Sequence, residues 1–498
     1  MDFTAEFERE VKRASKLLGL KVAREIPRYI RVVERLPGRG CALREGEILH
    51  VLASLAPDHL PFLIAKEAAV TLMVPEVDSV PQIHDLGWIY SDAPKELWLR
   101  CRHPPEEPFH DYDPYELFSL LQARERYRVL GTLMNLLNAS AKRGALEFPM
   151  YFALLNRITT QSVEFTDSDK KLVEILMKNP SATSAHMKRM GMGGSAISRS
   201  MRKLKTLGVI SGPESVDHRR LGLTTLIVTF PNRKACRDAF WRFPYTHSMF
   251  IPLSADVDVH TYLSYPSKGV EDLLSLRELG LEMALVRETS LELKFDPPVD
   301  TFEAVGSVLQ GNHGSVLPDD RFAGAPDPPI KVDRVHLLIL NLVLERGRVS
   351  VNFLAEKGIR EARKRLRELR NSGIVRNSYL VGFPRGAGRT LVKVRKGMED
   401  LPFFSKVLGS SGSAVIQHLE GDPSYLVGML VVEPKAKGDL FRILRTLYGD
   451  DLLIAEDFIG VEPGWRFPVE LWDEGSQTFL WEGPLAELRV GLSACLRD

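Results

Sequence analysis

Basic side chains recur at helical spacing in two segments of this 498-residue chain, and contact with phosphate groups is the chemistry that such clusters can perform. In the first segment Ile197, Met201 and Leu204 fall on one face of a predicted helix, and in the second Leu366 and Leu369 do the same. Polar and basic residues then face outward on both helices. The candidates for DNA contacts are Ser195, Ser198, Arg199, Arg202, Lys203, Arg360, Arg363, Lys364, Arg367 and Arg370.

The distribution of charge along the chain supports this interpretation more strongly than the total charge of the chain does. The chain carries 66 Lys and Arg against 65 Asp and Glu, a net charge of +1, which excludes a uniformly basic coat. Residues 165–222 alone carry +6 and residues 330–396 carry +12, so the remainder carries −17. Basic charge is therefore concentrated around the two helices, as expected of proteins that bind phosphate backbones.

Other chemistries have weaker signals. His103, His110, Asp111 and Asp113 lie within a short acidic stretch that could suggest a metal, but its three prolines favour a solvated loop. GxGxxG, Walker, GxSxG and HExxH motifs are absent from the sequence. We therefore expect no enzyme, no catalytic residue, no cofactor and no metal.

The cysteines and the hydropathy pattern indicate where in the cell the protein is expected. Cys41, Cys101, Cys236 and Cys495 are far apart and form no CxxC pair, so we expect reduced, buried thiols. The first twenty residues lack the apolar core of a signal peptide, and no run of eighteen apolar residues occurs. The expectation is a cytoplasmic protein that does not enter a membrane.

The two basic helices belong to an internal repeat. Leu204 and Gly208 recur as Leu369 and Gly373, both 165 residues later, and the strand that starts at Leu226 recurs at the same offset. In each copy the basic helix is the third of three short helices and precedes a strand pair, the pattern of a winged helix-turn-helix. Each copy continues as strand, helix, strand, strand, helix, strand, which predicts a ferredoxin-like βαββαβ domain.

The expected fold class is α+β, with an N-terminal α+β domain followed by two tandem winged helix-turn-helix plus ferredoxin-like modules. The predicted boundaries are 1–160 for the N-terminal domain, 165–222 and 331–388 for the winged helices, 223–296 and 389–462 for the ferredoxin-like domains, 297–330 for a Pro- and Gly-rich linker, and 463–498 for a Trp-rich tail. Few basic residues interleave the tryptophans of that tail, so we expect it to anchor on the protein core or a partner.

Three runs resemble the Lrp/AsnC (feast/famine) family of transcription regulators: DSDKKLVEILMKN, SAISRSMRKLKTLGVISG and VDHRRLGL. The resemblance implies sequence-specific binding of duplex DNA by paired effector domains, which a tandem chain could form alone as a pseudo-dimer. It also implies a small-molecule effector such as an amino acid, near Asp256, Asp258, Gly421 and Asp422. Gly and Asp suit turns for backbone reasons alone, so Gly421 and Asp422 favour a plain strand-to-strand turn over a ligand site.

The N-terminal residues 1–160 lie outside the repeat. Lys66 to Val70, KEAAV, resembles the helix of zincin metallopeptidases, which carries HExxH. Both histidines are missing, and one carboxylate beside an ammonium cannot hold zinc. We expect an ordinary α+β domain without metal.

Two functional hypotheses remain open. The first is a transcription regulator whose partner is double-stranded DNA. Further candidate partners are the transcription machinery and other copies of the chain in a homo-oligomer. The alternative is a tandem winged-helix factor whose basic faces dock on an acidic protein of that machinery. Binding to DNA should weaken steeply with added salt, whereas the alternative predicts no such response to duplex.

Overall fold

The computed structural model describes residues 2–36, 41–55, 57–103, 112–252, 254, 256–292, 303–305, 317–319, 330–385, 389–420, 423–432, 434–461 and 465–496. The chain forms two compact units, Met1–Glu164 and Phe165–Asp498. Both mix helices and strands, so the predicted α+β class is confirmed. Most of the predicted linker, 297–330, lies outside the described residues.

The described residues of the first unit form a small sheet and seven α-helices. Strand β1 pairs in parallel with β3, which pairs in antiparallel fashion with β2. The elements are α1 (Thr4–Leu18), β1 (Tyr29–Val33), β2 (Ala42–Glu45), β3 (Ile48–Leu52), α2 (Leu60–Val70), α3 (Asp85–Tyr90), α4 (Lys95–Cys101), α5 (Pro114–Phe118), α6 (Ala123–Ala141) and α7 (Phe148–Gln161).

Helix α2 carries the KEAAV run and is buried along most of its length. Lys66 Nζ lies 2.6 Å from Glu67 Oε1, and both side chains are almost fully enclosed. Charges removed from water are costly unless they are paired, so the two residues stabilise each other. This pairing explains in structural terms why a lysine occupies a buried helix.

The second unit contains the repeat, and its halves are called the first half (165–292) and the second half (330–461). The first half comprises α8 (Asp167–Lys178), α9 (Ser184–Arg189), α10 (Gly194–Thr206), β4 (Ile210–Ser211), β5 (Glu214–Val216), β6 (Leu223–Phe230), α11 (Lys234–Arg242), β7 (Thr246–Pro252), β8 (Val259–Pro266), α12 (Val270–Leu274) and β9 (Glu282–Glu292). Strand β10 (Leu317–Asp319) pairs with β9.

The second half comprises α13 (Arg334–Arg346), α14 (Val351–Glu356), α15 (Ala362–Asn371), β11 (Val375–Asn377), β12 (Leu380–Val381), β13 (Arg389–Val394), α16 (Leu401–Ser411), β14 (Ser413–Glu420), β15 (Tyr425–Val431), α17 (Pro434–Tyr448) and β16 (Leu452–Val461). The tail adds β17 (Trp472–Asp473), β18 (Thr478–Phe479) and α18 (Glu482–Cys495).

The long strands of the two halves close into one eight-stranded antiparallel barrel. Each half contributes four strands in equivalent order, β9-β6-β8-β7 and β16-β13-β15-β14. Two ladders join the halves, β9 with β14 and β16 with β7. The barrel interior is apolar at its centre, where the clustered side chains are Ile227, Phe250, Tyr262, Ala284, Val286, Phe383, Leu391, Leu419, Val427, Met429 and Phe458.

The 165-residue offset does not hold in the barrel strands. Ile227 and Leu391 both point into the barrel, whereas Val392 packs outward with the helices of the second half. Successive residues of a strand face opposite sides, so Leu226 points away from the interior that Leu391 faces. The predicted equivalence of Leu226 and Leu391 is therefore wrong, because a one-residue shift reverses every side chain of a strand.

The cysteines are not free. Cys41 and Cys101 form one disulfide, and Cys236 of α11 forms another with Cys495 of α18. The expectation of reduced thiols is wrong because folding brings together residues that are far apart in the sequence.

The Trp-rich tail is anchored on the second unit. Trp472 is almost fully buried and donates its indole N–H to the Val332 carbonyl, and Trp481 donates to the Asp272 carboxylate.

Among the described helices, none combines the length and the apolarity needed to cross a lipid bilayer.

Candidate functional site

Helix α10 has an apolar inner face and a polar outer face. Ile197 and Leu204 are buried, and Met201 is partly buried. The helix begins at Gly194, and its N-cap residue Gly193 supplies no side-chain hydrogen bond. The first turn therefore leaves its amide groups uncapped by a side chain.

Four of the five residues predicted on the outer face of α10 are exposed. Ser195, Ser198, Arg199 and Arg202 face solvent, and neither arginine forms an ion pair with any of the described residues. Lys203 is different, because its Nζ lies 2.7 Å from Oδ2 of the buried Asp169. The prediction of an outward Lys203 is wrong: one residue after Arg202 the helix has turned by about 100°, toward α8.

Helix α15 presents a more strongly basic face. Leu366 and Leu369 are buried against the other helices of its half. The predicted contact residues of this helix, Arg363, Lys364, Arg367 and Arg370, are all exposed, and so is Arg360, which the structure places two residues before the helix begins. Lys364 Nζ lies 3.7 Å from Glu361, and Arg370 reaches across to Glu214 of the first half at 2.5 Å. Arg370 therefore joins the halves as well as carrying charge to the surface.

Short strands that follow the two basic helices fix their relative position. β4 pairs with β12 and β5 pairs with β11, so each half supplies one strand to each pair. The Gly382 amide donates to the Val209 carbonyl at 2.8 Å, directly after α10. Asp217 accepts from Arg219 of its own half and from Arg376 of the other half. Backbone and charged contacts together connect α10 to α15.

The other predicted sites are not assembled by the described residues. Asp256 and Asp258 are exposed in the connection between β7 and β8, and Gly421 and Asp422 lie outside the described residues. In the predicted metal loop, Asp113 caps α5 and pairs with Lys95, while His110 and Asp111 are not described. Among the described residues, no group of three or more His, Cys, Asp or Glu side chains could hold a metal ion.

A cavity of about 600 Å³ lies at the end of the barrel beneath the short strand pairs. Both halves line it with side chains from the barrel interior and from the connections to the three-helix segments. Its polar lining residues include Ser211, Ser215, Asp217, His218, Arg219, Thr224, Thr225, His247, Ser248, Tyr262, Ser264, Arg376, Ser378, Tyr379, Arg389 and Gln417. Sequence reasoning missed this site, since its residues are scattered over more than two hundred positions.

Aromatic side chains surround His218, which lines the cavity. The ring of His218 lies 5.0 Å from Trp465 and 5.3 Å from Phe467, measured between ring centroids. Burial, together with the neighbouring His247, lowers the pKa of His218 to about 3. His218 is therefore neutral at physiological pH and can donate one hydrogen bond and accept another.

The chain matches no family model and no curated protein. The assignment to the Lrp/AsnC family is therefore wrong, and the zincin resemblance of the first unit finds no match either. Among solved structures, the siroheme decarboxylase NirDL is similar over 67% of this chain and 100% of that chain, with 12% identity and a TM-score of 0.35.

Proposed function

We propose that this chain binds duplex DNA through α10 and α15 and regulates transcription without catalysis. In this proposal each helix is the recognition helix of a winged helix-turn-helix, followed by a βαββαβ domain of ferredoxin-like type. The observation that carries the proposal is the paired exposure of basic side chains on two surface helices that contacts between the halves hold in one arrangement.

The exposed charges set the expected binding mode. Arg199 and Arg202 on α10, together with Arg360, Arg363, Lys364 and Arg367 at α15, offer up to six contacts to phosphates or bases. Each neutralised phosphate releases counterions and contributes about −0.9 to the slope of log affinity against log salt. Six such contacts would give a slope of about −5.

The two helices should recognise different sequences. Helix α10 adds the hydroxyl groups of Ser195 and Ser198 to its arginines, whereas the exposed candidates of α15 are all cations. Because the outer faces differ, the expected binding site consists of two unlike half-sites and not of a palindrome.

Fluorescence anisotropy with duplexes selected from a random pool tests the proposal. Arg199→Ala with Arg202→Ala, or Lys364→Ala with Arg367→Ala, should each reduce the salt slope by about 1–2. Binding should weaken by about 1–3 kcal/mol for every base edge that a truncated side chain no longer reaches. The matched control is Arg442→Ala, which removes an exposed arginine from α17. Wild-type affinity in both double variants would refute the assignment, and a flat salt response would favour a protein partner.

A further inference from the structure

Three buried serine side chains line the cavity at the end of the barrel. Ser215, Ser248 and Ser264 are each more than nine-tenths buried. Among the described residues, none supplies a hydrogen bond to any of the three hydroxyl groups. Burying a hydroxyl group without a hydrogen bond costs free energy. Three such groups around one open volume therefore indicate a bound molecule that supplies the missing hydrogen bonds.

Strand register places two of these hydroxyl groups on one wall of the barrel interior. Ser264 of β8 lies opposite Thr225 of β6, and Ser248 of β7 lies opposite Tyr262 of β8. Tyr262 and Phe250 belong to the interior cluster. Side chains two residues apart on a strand share a face, so Ser264 and Ser248 point into the same interior.

Gln417 adds a hydrogen-bond donor from the second half of the repeat. It lies on β14, lines the cavity and is almost fully buried. The Tyr262 hydroxyl donates to the Gln417 side-chain carbonyl oxygen, which leaves the amide nitrogen as the donor end of the side chain. Serine hydroxyl groups can both donate and accept. Together these groups match the hydroxyl groups of a ligand.

The charged groups that line the cavity are engaged within the protein. Asp217 pairs with Arg219 and with Arg376. Arg219 and Arg389 each take part in a further interaction of the folded chain. His218, another lining residue, is neutral at physiological pH because burial lowers its pKa. A ligand therefore meets neutral hydrogen-bonding groups, which favours an uncharged molecule.

The remaining lining suits the ring of an organic molecule. Leu223, Val415 and Met429 supply an apolar wall. The volume of about 600 Å³ falls within the 300–1,000 Å³ typical of sites for small organic molecules. The cavity thus combines an apolar wall with a wall of hydroxyl and amide groups.

From this arrangement we infer that the cavity binds an uncharged ring compound that carries hydroxyl groups. The hydroxyl groups of the ligand bond to Ser248, Ser264 and Gln417, and its ring lies against the apolar wall. The site is distinct from the exposed Asp256 and Asp258, and the inference does not rest on DNA binding.

The first test needs no ligand. Ser248→Ala with Ser264→Ala removes two hydroxyl groups that no described residue bonds, so the urea midpoint of the full chain should stay unchanged or rise. Thr246→Val is the matched control on the same strand. It removes a buried hydroxyl group that donates to the Phe240 carbonyl at 2.6 Å, so its midpoint should fall. A lower midpoint in the serine double variant would overturn the inference, because the protein itself would then bond these hydroxyl groups.

The second test titrates 2,7-dihydroxynaphthalene, which is uncharged at pH 7, into the full chain by calorimetry. It should bind saturably with one site per chain. The serine double variant should weaken this binding about tenfold or more, since two hydrogen bonds are lost. Thr246→Val should change it less than twofold.

Two analogues of the same ring system separate hydrogen bonding from charge and apolar contact. The compound 2,7-dimethoxynaphthalene cannot donate hydrogen bonds, and naphthalene-2,7-disulfonate is an anion. Each should bind the wild-type chain at least tenfold less well than the dihydroxy compound. Equal binding of the three compounds, unchanged binding in the serine double variant, or no binding at all, as expected of a cavity that holds solvent only, would each overturn the inference.

Discussion

At the scale of single residues, position within the fold decides whether a charge serves binding or stability. Arg202 and Lys203 are adjacent in the sequence, yet Arg202 is exposed while Lys203 pairs with the buried Asp169. Asp169 also accepts the Thr166 amide at 2.8 Å, which closes the N-terminal cap of α8. Lys203 is therefore part of the packing between α8 and α10.

Lys203→Met should lower the free energy of unfolding by about 1–3 kcal/mol, because it leaves the Asp169 carboxylate without its cation. Urea unfolding measures this loss. Arg202→Met, the matched exposed substitution, should leave stability within about 0.5 kcal/mol while weakening DNA binding. The assignment of Lys203 to packing would be contradicted if Lys203→Met left the free energy of unfolding unchanged.

Asp85 of α3 should make the first unit sensitive to pH. Burial raises the pKa of Asp85 from its ordinary value of 3.8 to about 7. Between about pH 4 and pH 7 the unfolded chain loses this proton while the folded unit keeps it, so the free energy of unfolding falls as pH rises through that window. Three pKa units correspond to about 4 kcal/mol.

The Asp85→Asn variant has no carboxyl group to ionise at this position, so its free energy of unfolding should not decline over this pH range. At pH 8 it should be more stable than the wild-type protein. Hydrogen exchange of peptides from residues 60–101, measured at pH 5, 6.5 and 8 and corrected for intrinsic rates, reports the local free energy. Asp58→Asn changes an exposed carboxylate and should retain the wild-type pH dependence. An unchanged decline in Asp85→Asn would exclude Asp85 as its origin.

At the scale of elements, the C-terminal helix α18 is attached to α11 by more than apolar packing. The disulfide between Cys236 and Cys495 spans 259 residues, and the Arg233 side chain donates to the Cys495 carbonyl at 2.7 Å. At Gly491 an added Cβ would lie 3.1 Å from the Ala239 Cβ, so the two helices approach closely. The tail is thus a structural part of the second unit.

Cys495→Ala should destabilise the second unit by about 2–5 kcal/mol, since the cross-link restricts a long loop of the unfolded chain. Thermal unfolding under non-reducing conditions measures the change. Cys101→Ala removes the disulfide of the first unit and serves as the comparison, because it should leave hydrogen exchange of α11 and α18 unchanged. Identical exchange in α18 with and without Cys495 would contradict the structural role.

At the scale of the whole molecule, closure of the barrel within one chain pairs the strand edges that could otherwise form hydrogen bonds with a second copy. Strands β7, β9, β14 and β16 each have partners on both sides. Exposed strand edges are the usual route to pairing between chains. One chain therefore supplies both basic helices of the proposed DNA interface.

The free protein should be a monomer of 56.0 kDa that binds one duplex carrying two unlike half-sites. Light scattering coupled to size exclusion measures the mass in the free and DNA-bound states. The length of the protected duplex gives an independent check, since half-sites one helical turn apart are separated by about 34–36 Å. Twice the monomer mass in the free state would contradict intrachain pairing as the complete assembly.

Local patterns in the sequence determined the helices and strands of the repeat. Ile197 and Leu204, and likewise Leu366 and Leu369, are buried as their helical spacing predicts, because i, i+3 and i+4 relations depend only on neighbours along the chain. The strand, helix, strand, strand, helix, strand order of each half follows from the same local periodicity. The exposure of the basic face of α15 was predictable for this reason.

Tertiary structure alone decided what distant residues do together. Arg389 and Thr390 alternate on a strand whose two faces are both buried, so polarity could not indicate which side chain faces the barrel interior. The disulfide between Cys236 and Cys495, the ion pair of Lys203 with Asp169 and the cavity around Arg389 all join elements that only folding brings together. A sequence records neighbours along the chain, whereas closure of a barrel sets neighbours across it.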